Sequence, residues 1–160
     1  MDVMTRWLTD REQRAWRAFL AASQLLLDQL DRELQRDAGM PHTYYEILVV
    51  LSETPHHTLR MSELAEITLS SRSRLSHAVA RLEERGWVRR AACPTDRRGQ
   101  LAILTDAGFT ALRDAAPGHV AGVRAHLFDQ LTMEQVEQLR EIGETVTEHL
   151  ASLDRTVAHS

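Results

Sequence analysis

The alternation of apolar and polar positions divides the chain into helices of very different length, with one short β-rich stretch between them. From about Arg11 to Asp37 apolar residues recur at helical spacing (Trp16, Phe19, Leu20, Leu26, Leu27, Leu30, Leu34), while Arg14, Arg17, Asp28, Asp31, Arg32 and Arg36 fill most other faces. Thr9 or Asp10 can cap this helix and Gly39 closes it, with Met1 to Leu8 as a frayed start. A second helix opens at Pro41 or His42 and runs to about Ser52, burying Tyr45, Leu48, Val49 and Leu51; Glu53 to Leu59 reads as a loop. A short helix capped by Ser62 turns Leu64 and Ala65 inward, with Ile67 as a further inward candidate. Leu69-Ser70-Ser71 forms a turn, and Ser71 caps a helix whose Leu75, Ala78, Val79 and Leu82 make one stripe before Gly86 ends it.

Trp87 to Ala91 and Leu101 to Leu104 then read as strands joined by Cys93 to Gln100, with Leu59-Arg60 as a small third strand. Asp96-Arg97-Arg98-Gly99 falls at the tip of that hairpin, where Gly99 would permit a tight turn. Thr105 caps a helix from Asp106 to about Gln130, interrupted at Pro117-Gly118. Thr132 to Gln135 is a capping box. The last helix, to about Leu153, carries Met133, Val136, Leu139, Ile142, Val146, Leu150 and Leu153 at near-heptad spacing, a seam suited to another helix.

The middle of the chain carries the chemistry. Off the apolar stripe of the Ser71–Gly86 helix lie Arg72, Ser73, Arg74, Ser76, His77 and Arg81, so its outward face is largely hydrogen-bond donors. That is the composition of a helix presented to a DNA groove. The hairpin behind it extends Arg97 and Arg98 as a wing beside that helix, with Arg90 on its first strand. Asp96, a carboxylate close to phosphates, makes sense only as a support that holds the wing by hydrogen bonds or an ion pair.

Here the sequence resembles the MarR family of bacterial winged-helix regulators. The resemblance is carried by RLSHAVARLEERGWVRR, by the Asp-x-Arg of Asp96 and Arg98, and by LTDAG at Leu104 to Gly108. It runs from about Arg11 to Leu153. It implies a mainly α fold with a small β-hairpin wing, a winged helix-turn-helix plus a helical dimerisation layer. On that reading residues 1–160 form one domain, in which 11–40 and 106–153 supply dimerisation helices and 41–105 the DNA-binding lobe. In the resembled family the first, fifth and sixth helices of two chains interlock. A homodimer would then place two recognition helices on a palindromic operator, with half-sites about one helical turn apart.

The resemblance also implies a cytoplasmic transcriptional repressor, not an enzyme, with double-stranded DNA as partner and no cofactor or metal. Its expected DNA-binding residues are Ser71, Arg72, Ser73, Arg74, Ser76, His77, Arg81, Arg90, Arg97 and Arg98. Release by a small aromatic or anionic effector is a further expectation, with Trp16, Phe19, His42, Tyr44 and Tyr45 lining its pocket.

Composition changes this picture in one place. A net charge of −4 at first opposes a nucleic-acid partner, but between Arg60 and Arg98 nine arginines face five acidic residues. That local balance of +4 leaves −8 for the rest, a distribution that draws a polyanion to one segment and repels it elsewhere. All 19 basic residues are arginine. One cysteine excludes an internal disulfide framework, and no apolar run or leader pattern suggests a membrane.

Competing readings are weaker. Exposed serines and arginines can simply be solvated, and Arg81 and Arg85 can pair with Glu83 and Glu84 instead of DNA. Cys93 beside arginines invites a redox role; the peroxide sensors of the resembled family place their cysteine near the start of the first helix, which here has none. A small wing residue before Pro94 is the favoured reading. His42, His56 and His57 show only loop proximity, not converging metal ligands. An enzyme would need a nucleophile elbow, a phosphate loop or a metal-helix motif, none of which appears. A winged-helix protein-interaction module without sequence-specific DNA binding is the remaining alternative, separable by a salt-sensitive shift of duplex DNA.

Overall fold

A computed structural model describes residues 5–157, with side chains described as far as Leu153. Its elements in order are α1 (Asp10–Ala38), α2 (His42–Glu53), a 3-10 turn (Pro55–His57), β1 (Thr58–Arg60), α3 (Met61–Ile67), α4 (Arg72–Glu84), β2 (Val88–Cys93), β3 (Asp96–Leu104), α5 (Asp106–His126), a second 3-10 turn (Phe128–Gln130) and α6 (Met133–Val157). The fold is mainly helical with one three-stranded antiparallel sheet in the order β1-β3-β2. Two units pack separately, one ending at Val120 and one beginning at Ala121. No helix among the described residues is long and apolar enough to cross a membrane.

In the first unit, local signals set the helix ends. The Thr9 hydroxyl accepts from the Glu12 N–H, and Glu12 accepts in return from the Thr9 N–H at 2.7 Å. Gly39 ends α1 at φ +63 and Gly86 follows α4 at φ +73, both in the left-handed region. Ser71 caps α4, its Oγ accepting from the Arg74 N–H at 3.2 Å. The expected stripe of α4 is buried in full and joins Leu48, Leu51, Leu64, Val88, Ala102 and Leu104 in one core. Leu30 and Leu34 are the only buried residues of α1; Trp16, Phe19, Leu20 and Leu27 are exposed, and Leu26 is half-buried.

Five expectations need correction. Ser62 does not cap α3: β1 runs straight into that helix, so Arg60 holds the cap position and its N–H donates to Glu63 at 3.1 Å. Ile67 points outward and Ile47 is buried in α2, where Val49 is only half-buried. Pro55–His57 forms a 3-10 turn inside the expected loop. Pro117 does not interrupt α5, which continues to His126; the proline lies on an exposed face, where water can hydrate the carbonyl its missing N–H leaves free. The chain then tightens into a 3-10 turn at Phe128–Gln130 instead of extending the helix.

The fifth correction is the wing. Its strands reach almost to the end of the hairpin, and Pro94-Thr95 makes the turn. Ala92 pairs with Gln100 but Cys93 pairs with Asp96, so Arg97, Arg98 and Gly99 bulge from β3 rather than forming the tip. Gly99 is not a turn glycine. A Cβ there would lie 3.0 Å from an Asp96 carboxylate oxygen and 3.1 Å from the Cys93 Cβ, so crowding beneath the bulge favours glycine.

A second close approach joins α5 to the winged lobe. Thr105 donates its hydroxyl to the Gly86 carbonyl at 2.6 Å and accepts from the Gly108 N–H at 3.0 Å, while its own N–H reaches the Trp87 carbonyl at 3.1 Å. A Cβ on Gly108 would fall 2.1 Å from that Trp87 oxygen. LTDAG is therefore a packing motif: a capping threonine, then a glycine against which a backbone carbonyl fits.

In the second unit, Thr132 and Gln135 complete the expected capping box, at 2.9 Å and 3.2 Å. Along α6, Met133, Leu139, Ile142, Val146, Leu150 and Leu153 are all exposed and Val136 is half-buried. Arg140 pairs with Glu137 and Glu144 on the same helix.

Candidate nucleic-acid interface

The apolar stripe of α4 fixes which side chains face out. With Leu75, Ala78, Val79 and Leu82 buried, Arg72, Ser73, Arg74 and His77 stand exposed in the first turns of the helix, next to the exposed cap Ser71. Ser76 is half-buried. The wing lies alongside. Between the two runs an open groove of about 450 Å³ whose polar lining is Arg60, Ser62, Arg72, Ser76, Asp96, Arg98 and Gln100. Arg97 and Arg98 are exposed on the bulge.

Asp96 shapes that bulge through the backbone. Its Oδ1 accepts the Arg98 N–H at 3.0 Å, a local turn that orders the chain carrying both arginines. The carboxylate thus meets the main chain of Arg98 and not its guanidinium.

Three arginines go elsewhere. Arg90 is turned inward: its side chain is 22% exposed, its Nε lies 3.1 Å from Glu83, and its Nη2 donates to the Ser76 carbonyl at 2.6 Å. Glu83 also accepts the Arg90 N–H at 3.0 Å. Arg90 therefore ties β2 to α4. Arg81 pairs with Glu84 on the helix surface at 2.9 Å, a solvated pair of small energetic weight. Arg85 packs over the Tyr44 and Trp87 rings, 5.5 Å and 4.9 Å from their centroids, and donates to the Gly39 carbonyl at 2.8 Å.

Arg60, Ser62 and Gln100 join this groove without having been expected there. Arg60 reaches across to the wing turn, donating to the Thr95 hydroxyl at 3.0 Å. Its only signal in the sequence is its place at the end of a short strand. Cys93 is buried beneath the same turn, 3.4 Å from the Thr95 hydroxyl. That hydroxyl, then the Thr95 N–H, hold the thiol below its ordinary pKa, with Arg60 adding a smaller pull.

The aromatic set expected to line an effector pocket is not gathered within one chain. Trp16 and Phe19 stack on each other, 6.3 Å between centroids, on an exposed part of α1. The His42 N–H is held by Asp31 at 2.8 Å, and Asp31 lies 15 residues from Trp16, about 22 Å along the helix. Tyr45 instead packs on His119 of α5 at 4.3 Å, with His42 5.4 Å from the same ring. Burial, then the neighbouring His42, lower the His119 pKa against a smaller opposing pull from Glu33. Its Nδ1 is buried without a hydrogen-bond partner among the described residues. His57 stacks on Phe109 at 5.6 Å, and no cluster of three or more metal-ligating side chains occurs among the described residues.

A helix-turn-helix with a sheet-borne wing, its donors gathered on one face, defines a winged-helix protein. The MarR family model matches residues 38–99. The chain is 27% identical over 130 residues to the transcriptional repressor MprA of Escherichia coli K12, covering 81% of this chain and 73% of that one. It is 60% identical to Sco3205 of Streptomyces coelicolor, a MarR family regulator crystallised with DNA; the match covers 91% and 92% of the two chains with a TM-score of 0.89. AbsC, another MarR family regulator from S. coelicolor, is 47% identical over 92% of this chain and 99% of its own, with a TM-score of 0.87. The chain belongs to the MarR family.

Proposed function

We propose that this protein is a transcriptional repressor that binds a palindromic DNA operator as a homodimer. The observation that carries the reading is the donor face of α4, continuous across an arginine-lined groove with the wing bulge, in a chain 60% identical to a regulator crystallised on DNA. On this reading Arg72, Ser73, Arg74 and His77 meet the major groove, and Arg97 and Arg98 meet phosphates or an adjacent minor groove. Arg90 serves by fixing the angle between the two, and Asp96 by ordering the bulge.

Assembly supports the same reading. The bare aromatic and leucine face of α1 and the bare seam of α6 are each too apolar for a lone surface helix, and each fits a second copy. Release by a small aromatic or anionic effector belongs to this reading as well. Because Trp16 and Phe19 stand far along α1 from His42, a pocket using all five residues is completed only across the dimer.

Selection of duplexes from a random pool tests the proposal. The expected product is an inverted repeat with half-sites about one turn apart, bound by a dimer in sedimentation, with affinity falling steeply as salt rises. Recovery of no preferred duplex, or binding by a folded monomer, counts against it.

A further inference from the structure

Leu69, in the turn between α3 and α4, occupies a position that suits neither its backbone nor its side chain. The turn closes α3 with two reversed hydrogen bonds, Ser70 N–H to the Ala65 carbonyl at 2.9 Å and Leu69 N–H to the Glu66 carbonyl at 3.2 Å. Leu69 sits at the left-handed position of that closure, φ +50, where glycine is the ordinary residue. Its side chain is 87% exposed, so among the described residues no packing compensates for the strained backbone. The turn needs the conformation; it does not need a leucine.

Strain of this kind clusters at functional sites. Leu69 lies two residues before the α4 cap and lines an open groove of about 430 Å³ with Thr43, Glu46, Ser70 and Arg74. It stands on the rim of the face that presents Ser71, Arg72, Ser73 and Arg74. The other apolar side chain exposed at this corner is Ile67, 53% exposed on α3. Two aliphatic side chains fall far short of the roughly 800 Å² per partner that a protein complex takes. They are of the right size for a single methyl group. Along the major-groove edge of DNA the apolar group that distinguishes one base from the others is the 5-methyl of thymine.

We propose that Leu69 is a specificity-determining contact, packing on a thymine 5-methyl at the edge of the bases reached from α4. The proposal rests on the DNA-binding reading above and adds a base to it that no hydrogen-bonding side chain reads. Glycine at this position would relax the backbone and forfeit the methyl packing.

The test uses Leu69→Gly, Leu69→Ala and two duplexes: the tightest one the parent selects from a random pool, and the same duplex with deoxyuridine replacing thymine in each half-site. The parent should bind the thymine duplex about 10-fold more tightly than the deoxyuridine duplex, as expected for two buried methyl groups per dimer. Leu69→Gly should bind both duplexes alike, at the parent's deoxyuridine level, with an unchanged salt slope because no charge is removed. Its melting temperature should hold or rise by up to about 4 °C. Leu69→Ala, which keeps a Cβ at the strained position, should show the same loss of discrimination without the gain in stability. Equal binding of the thymine duplex by Leu69→Gly and the parent overturns the proposal, as would be the case for a leucine kept for a protein partner. So does an equal loss on both duplexes, the mark of a sugar or purely structural contact. If the parent itself selects no duplex, the DNA-binding reading falls first and the proposal with it.

Discussion

Replacing Asp96 by alanine should weaken DNA binding, whereas replacing it by asparagine should not. Asp96 carries a negative charge on the wing, so simple electrostatics says that any neutral substitute binds DNA more tightly. At about 7 Å from a phosphate in water that repulsion is worth about 0.6 kcal/mol, near threefold in affinity. Against it stands the hydrogen bond from the Arg98 N–H to Asp96 Oδ1 at 3.0 Å. A bond to a charged acceptor contributes about 1.5 kcal/mol, roughly tenfold, and here it orders the bulge that carries Arg97 and Arg98. Alanine removes both effects, and the larger one wins: Asp96→Ala should bind about three- to fivefold more weakly. Asparagine keeps an acceptor oxygen at the same place and removes the charge, so Asp96→Asn should bind as well as the parent or somewhat better. Fluorescence anisotropy with the selected operator duplex, from about 50 to 300 mM salt, reads both. The repulsion fades as salt rises while the ordering effect persists, so the alanine deficit should widen with salt. Tighter binding by both variants at every salt concentration would refute the claim that Asp96 supports the arginines.

Three further expectations follow from the same geometry. Arg74→Ala should cost about 1–3 kcal/mol for each base that Arg74 reads and relax sequence preference, whereas an equal weakening on operator and random duplex would make Arg74 a phosphate ligand only. Gly108→Ala forces a Cβ to within 2.1 Å of the Trp87 carbonyl; the required shift of α5 should cost at least about 2 kcal/mol in chemical denaturation, and a variant as stable as the parent would contradict the packing described. His119 has a folded pKa below its ordinary value, so the unfolded chain binds the proton more readily and stability should fall as pH drops below about 6.5. His119→Phe, which keeps a ring against Tyr45, should flatten that part of the melting-temperature profile between about pH 7.5 and 5.5, and an unchanged profile would assign the effect to other groups.

Much of the winged lobe, and the start of α6, was legible in the sequence because the signals there are local. The stripe Leu75, Ala78, Val79, Leu82 is one helical face, and Ser71, Gly86, Thr105 and the Thr132–Gln135 box mark ends through hydrogen bonds to residues close by in the chain. Those same positions decide which side chains of α4 face outward, so its donor face is readable from periodicity alone. Ser62 shows the limit of even local signals: a good cap residue yields the position to Arg60 because β1 delivers the chain to α3 earlier than the serine suggests.

What the tertiary structure decided is where side chains and backbones from distant positions meet. Arg90 looks like any wing arginine until β2 packs on α4 and brings Glu83 and the Ser76 carbonyl to it. The arginine bulge depends on the pairing of Ala92 with Gln100 and Cys93 with Asp96, a register set by the partner strand and not by composition. Gly108 is an ordinary helix residue in the sequence and an obligate one only when the Trp87 carbonyl lies over it. The aromatic residues of α1 and α2 share a composition but not a place, because a rigid helix holds Trp16 a fixed distance from Asp31 whatever the chemistry of the two ends. Periodicity specifies which face of an element is apolar; only the fold specifies what covers that face, and for much of α1 and α6 nothing among the described residues of a single chain does.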